Sequence, residues 1–280
     1  MARGPVFWED GLSRNVWMAL GVVSLLLATT SVVSSGEMRR PQRKASKTWK
    51  GMVKVPAGPF TRGSDTGDAD EKPVRQIYLD AFWIDKHEVT AAQYRECVRK
   101  GGCKRPEETG TGCTYDEQSK GDHPINCVNW FEADAYCRWA GKALPTEAQW
   151  EKAARGTDAR TYPWGNDTPT CRHAIIRENN ATGCGRSETW PVGSKPDGAS
   201  PYGALDMVGN VWEWTADWYE SDYYTKAPSR NPPGPKTGVE RIARGSSWSY
   251  TFDSAMRVTD RVDDAPGFAH NALGMRCVRP

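Results

Sequence analysis

Three stretches between residues 90 and 156 repeat their apolar positions every three or four residues, the spacing of a helix with one buried face. Thr90 precedes AAQYRECVRK, in which Tyr94, Cys97 and Val98 share a face and Gly101 marks the stop. Asn129, with Glu132 three residues on, opens WFEADAYCRWAGK, whose stripe is Ala133, Tyr136, Cys137 and Ala140 and whose end is Gly141. Thr146 and Gln149 form a capping box ahead of Trp150, Ala153 and Ala154, closed by Gly156. Around these helices lie short strand-like pieces at residues 52–55, 77–84, 211–214, 242–243 and 275–278. Long connections rich in Gly, Pro, Asn and Asp separate them. This pattern predicts an irregular, loop-rich α+β domain. Loops of such length must be held by something besides a strand ladder, and tryptophans, disulfides and bound ions are the candidates.

The beginning of the chain has a different pattern. Residues 16–33 form the one long apolar run, preceded by Arg14 and closed by the small residues Ser34, Ser35 and Gly36. A basic start, an apolar middle and a small-residue end are the layout of a secretory signal, here residues 1–35. The run is also just long enough to span a bilayer, so an uncleaved anchor is the other reading, and the membrane would then be met only through this segment. Residues 36–48 are polar and basic and read as a linker. The folded domain is expected over 49–280, with no second composition shift and no repeat.

Charge and composition narrow the function. In 280 residues, 37 Lys and Arg face 35 Asp and Glu, a net charge of +2, which leaves no basic excess for nucleic acid. Apolar residues make up only 38%, yet 13 Trp and 8 Cys argue against disorder, which is poor in aromatic residues. All eight cysteines follow the apolar run, an even number suited to an oxidising compartment, so the domain is expected to be exported. Cys171 and Cys184 enclose a polar irregular loop and make a natural local pair. The four histidines, His87, His123, His173 and His270, are scattered, with no pair at helical spacing for a transition metal.

Several segments taken together are specific. They are Phe82-Trp83-Ile84-Asp85 with Glu88-Val89-Thr90, Pro124-Ile125-Asn126-Cys127-Val128-Asn129-Trp130, and Leu144-Pro145-Thr146-Glu147-Ala148-Gln149-Trp150-Glu151. Tyr162-Pro163-Trp164-Gly165-Asn166, Asp206-Met207-Val208-Gly209-Asn210-Val211-Trp212-Glu213-Trp214, Arg244-Gly245-Ser246-Ser247-Trp248 and Leu273-Gly274-Met275-Arg276-Cys277 follow. In this order the chain resembles the formylglycine-generating enzyme, or sulfatase-modifying factor, family from about Val53 to Arg279. The resemblance implies a variant of the C-type-lectin-like fold. It implies a chemistry too: oxidation of a cysteine in a substrate protein to formylglycine, with O2, copper and a pair of active-site cysteines.

Carried over position by position, the family's thiol pair falls on Tyr250 and Ala255. A phenol is a hard donor of high pKa and an alanine is no donor, so copper is not expected. The resemblance also implies a Ca2+ site at Asp206 and Glu213, through their side chains, with the carbonyls of Gly209 and Val211. Two carboxylates around a glycine turn give the all-oxygen set that Ca2+ prefers, although Glu213 meeting an arginine is the plainer alternative. A second family calcium site would need an asparagine where this chain has Ile175. Cys137 and Cys277 match a family bridge. Cys97, Cys103, Cys113 and Cys127 then remain, with three possible pairings. Trp248, Tyr250, Arg257 and Arg261 would line the family cleft, the two arginines either facing a ligand or pairing with carboxylates. These readings predict an exported binding or scaffold module for a peptide or protein partner. A divergent metal-dependent oxidoreductase acting on a protein or small molecule is the alternative.

Overall fold

The computed structural model describes residues 48–250 and 253–280; the signal-like run, and the basic linker up to residue 47, lie outside them. The element order is β1 (Met52–Val55), β2 (Gly58–Arg62), β3 (Arg75–Leu79), β4 (Phe82–Asp85), α1 (Ala91–Arg99), α2 (Trp130–Trp139) and α3 (Glu147–Arg155). β5 (Trp212–Trp218), α4 (Tyr223–Lys226), β6 (Arg241–Arg244), β7 (Val262–Asp264), β8 (Leu273–Gly274) and β9 (Val278–Arg279) complete it. The described residues belong to one unit, Lys47–Pro280. Short helices, three small sheets and long connections make the irregular α+β fold that the pattern predicts.

The three longer helices start where their caps are. Thr90, Asn129 and Thr146 each accept the backbone N–H three residues on, from Gln93, Glu132 and Gln149, whose side chains accept the cap N–H in return. Two donors are satisfied at each start, which is why these boundaries follow from local sequence alone.

Two of the expected strands are broken, and two further strands are not expected from the pattern. The piece at 77–84 is two strands of different sheets: β3 pairs antiparallel with β2, and β4 with β1 and β9. The chain turns at Asp80, whose backbone N–H donates to Asn231 Oδ1 at 2.9 Å. The piece at 275–278 is also broken. Leu273 and Gly274 run parallel to β5, and Val278 and Arg279 cross to β4, because Arg276 between them turns its side chain fully inward. β2 and β7 carry no apolar alternation, and the sequence pattern misses both.

Two apolar cores lie side by side. One gathers Phe60, Ile77, Phe82, Trp150, Met207 and Val258; the other gathers Tyr94, Ile125, Tyr136, Trp212, Trp214 and Leu273. Buried tryptophans fix irregular backbone as well as supplying area: the indole N–H of Trp214 donates to Val128 O at 3.0 Å. Four disulfides staple the rest. Cys137–Cys277 and Cys171–Cys184 form as expected, and the open pairing resolves as Cys97–Cys103 and Cys113–Cys127.

Candidate functional site

The segment after β6 carries the positions that matter most for chemistry. Ser246 is fully buried with φ 63°, left-handed backbone in which a side chain is strained, and its hydroxyl has no partner. That turn sends Ser247 and Trp248 across the molecule. Trp248 N–H donates to Asn210 O at 3.0 Å, and its indole N–H donates to Asn271 O at 3.2 Å. Tyr250 is 41% exposed and stands edge-on to the Trp212 ring at 5.4 Å. Ala255 is half-buried against the second core. All eight cysteines are in bridges and none is free, so no thiol from elsewhere substitutes at these positions.

The four residues expected in one cleft separate into two places. Tyr250 lies on Trp212, and Trp248 is held by the carbonyls of Asn210 and Asn271. Arg261 does not face a ligand. Its side chain is 0% exposed, and its Nε donates to Glu147 Oε1 at 2.7 Å while Nη1 donates to Asp70 O at 2.9 Å. A carboxylate as buried as Glu147 has lost its water and needs a guanidinium, which holds its pKa down despite that burial. Arg257 is likewise paired, with Glu71 and, at 3.5 Å, with Asp68. It keeps one edge on a cavity of about 230 Å³ lined by Ser64, Thr66, Thr161 and Thr259.

Glu147 and Glu151 belong to the 144–151 segment, and the motif by itself gives no sign of their role. Four apart on α3, they anchor a buried ion network. Glu151 accepts from Arg244 Nη2 at 2.9 Å, Arg155 Nη1 at 3.0 Å and the Gly63 N–H at 2.8 Å. Two carboxylates on the inner face of a helix were the signal for it. Beside them the buried Asp217 accepts the Glu147 N–H at 2.8 Å; burial, and then Glu147, push its pKa up to about 7.

The 206–213 loop puts Asp206 at φ 57° and Gly209 at φ 83°. Gly209 leaves no room for a Cβ, which would stand 2.5 Å from the Ile175 carbonyl oxygen. Asp206 Oδ2 accepts the Gly193 N–H at 2.6 Å. Glu213 meets an arginine: Arg276 donates to Oε1 at 2.6 Å and to Oε2 at 2.7 Å, and the Trp150 indole N–H donates to Oε2 at 2.7 Å. Glu88 lies in the same field, fully buried, with neither carboxylate oxygen partnered. Glu88, Asp206 and Glu213 thus share one guanidinium. The fit to a cation here is by hard-oxygen chemistry and excess negative charge, not by carboxylates already converged on a point.

Three of the four histidines are engaged by neighbouring residues. His123 Nδ1 bonds Thr189 Oγ1 at 2.9 Å, His173 stacks on Trp164 at 4.9 Å, and His270 Nδ1 accepts the Ala272 N–H at 3.1 Å. Among the described residues, the group of metal-ligating side chains that does converge is Asp68, Glu71 and Asp260. No described helix is long and apolar enough to cross a membrane.

A profile of the sulfatase-modifying factor enzyme 1-like domain matches residues 37–280. The chain belongs to the sulfatase-modifying factor family. It is 32% identical to a formylglycine-generating enzyme of Thermomonospora curvata, over 85% of this chain and 96% of that one. It is 34% identical to the serine/threonine-protein kinase pkn1 of Chlamydia caviae, over 97% of this chain. The chain spans only 44% of that relative's length. In structure it resembles PvdO of Pseudomonas aeruginosa, with a TM-score of 0.70 and 27% identity, over 81% of this chain and 93% of that one. The loop-rich family fold is therefore the fold of this chain.

Proposed function

We propose that this sulfatase-modifying-factor domain is a non-catalytic binding or scaffold module, exported, that presents its family cleft to a peptide or protein. The observation that carries the reading is the state of the cysteines. Formylglycine chemistry of the family kind uses two thiolates for Cu(I), and this chain has Tyr250 and Ala255 there with every cysteine bridged. Four disulfides suit an oxidising compartment. Exposed Tyr250 over Trp212, beside half-buried Trp248, supplies aromatic area of the kind that anchors a bound peptide. A Ca2+ held at the 206–213 loop belongs to the same reading, as support for the fold.

The test is direct. Purified protein incubated with Cu(I), reductant, O2 and a Cys-x-Pro-x-Arg peptide is expected to leave the peptide mass unchanged. Turnover above a protein-free control would sink the reading. A Tyr250→Cys/Ala255→Cys protein should gain copper retention that the parent lacks. For the binding role, a random peptide display library panned on the parent should yield sequences that lose binding to Tyr250→Ala; enrichment indifferent to that change would remove the cleft from the proposal.

A further inference from the structure

The loop from Gly63 to Glu71 is fastened on three sides. Gly63 N–H donates to Glu151, the Ser64 N–H donates to Glu71 O at 3.2 Å, and Asp68 N–H donates to Glu71 Oε1 at 3.0 Å. These bonds drive the Glu71 side chain inward until it is 0% exposed. Arg257 takes its Oε1, and Oε2 is left buried with no partner.

Facing it across the Arg257 side chain is Asp260. Its backbone is fixed by Arg244, which donates to the carbonyls of Val258, Thr259 and Asp260. The Asp260 side chain belongs to a residue only 8% exposed, accepts no hydrogen bond from any described residue, and has Oδ2 wholly shielded. One carboxylate oxygen each from Asp68, Glu71 and Asp260 lies within 4.8 Å of the others. Arg257 is shared by Asp68 and Glu71, Arg244 is taken by Glu151 and Glu147, and Asp260 is left without an ion pair of its own, so negative charge is in excess here. Burying unpaired carboxylate oxygens costs free energy unless a proton or a cation meets them. Burial is also the main reason that the Asp260 pKa is pushed up to about 6, and Arg244 and Arg257 only partly oppose it.

We propose that Asp68, Glu71 and Asp260 bind a hard divalent cation of the Ca2+ class, at a site separate from the 206–213 loop. All the donors are oxygen, with no His or Cys in the group, which favours Ca2+ over a transition metal. Asp68 has a side chain 70% exposed and opens the site to solvent, so an ion can enter with waters completing its shell. A divalent ion cancels the residual charge. It also clasps the 63–71 loop to the segment that carries Arg257 and Asp260.

Metal-free protein is titrated with CaCl2 by calorimetry, with Asp68→Asn, Asp260→Asn and Asp206→Ala in parallel. The first two are expected to lose one Ca2+ equivalent, or to bind it at least tenfold more weakly, while Asp206→Ala retains that equivalent. Asp68→Asn changes an exposed side chain and so decides the matter even if Asp260→Asn does not fold. Wild-type protein that takes up no Ca2+ overturns the proposal. So does a single equivalent that vanishes in Asp206→Ala and persists unchanged in the other two.

Discussion

The carboxylates on α3 and those around Asp260 lie in adjoining parts of one buried charge layer, but their accounts differ. Glu147 and Glu151 are met by Arg155, Arg244 and Arg261, and Glu151 also takes a backbone N–H. Around Asp260, Asp68 and Glu71 share Arg257, Asp260 has no ion pair, and Glu71 Oε2 and Asp260 Oδ2 are buried without a partner. In the first group every carboxylate oxygen is met by the protein itself. The second is finished only by something from outside, a proton or an ion. Glu88 beside the 206–213 loop belongs with the second group, since neither of its oxygens has a partner. What separates the two groups is thus not the number of acidic residues but how many of their buried oxygens have a partner.

The balanced side should break hardest. Glu151→Ala strands Arg244 and Arg155 in the core and is expected to cost about 3–5 kcal/mol, read as a lower urea midpoint. As a control, Glu96→Ala removes an exposed partner of Arg99 and Lys100 and should shift the midpoint scarcely at all. If the two variants cost the same, the network is not what holds α3 in place.

Asp217 tests the same layer through pH. Its folded pKa of about 7 is above the unfolded value near 3.8, so the folded state binds more protons between those limits. Its contribution to stability is therefore greatest at low pH and declines as pH rises from about 4 to about 7, by at most about 1.4 kcal/mol per pH unit. Glu147 steepens the decline, while Arg62, Arg261 and the bond from the Glu147 N–H moderate it. Asp217→Asn should flatten the stability profile across that window, measured by urea unfolding at a series of pH values. A slope unchanged by the substitution would assign the pH dependence to other groups.

The smallest effect sharpens the unbalanced side. Glu88→Gln keeps shape and removes a buried carboxyl whose ionisation is opposed first by burial and then by Asp206 and Glu213. In EDTA the variant is expected to be more stable than the parent by about 1–2 kcal/mol. It should also gain less in melting temperature when Ca2+ is restored. Equal calcium gains in parent and variant would detach Glu88 from any cation at the loop.

What could be read from the sequence follows the range of the interaction. The three capping boxes are contacts three residues apart, and all three helices begin where those residues place them. The pairing of Arg261 with Glu147 spans 114 positions, and nothing near either residue announces it. Arg257 and Arg261, four apart, suggest a basic face, yet each is turned inward by a carboxylate from a distant loop or helix. The site at Asp68, Glu71 and Asp260 was illegible for the same reason, because its third member lies about 190 positions from the others. The loss of the thiol pair was legible at once, because it concerns residue types and not their distant partners.

The closing sheet has a consequence for how the chain is made. β9 lies against β4, and Cys277 is bridged to Cys137 across 140 positions, whereas the other three bridges span 6, 14 and 13. During synthesis those three can close as soon as their own short segments emerge from the translocation or translation exit. Cys137 must wait, reduced, while Cys171 and Cys184 pass it, and the β4 edge stays open until Val278 arrives. The order of emergence alone therefore makes Cys137–Cys277 the last of the four bridges that can close.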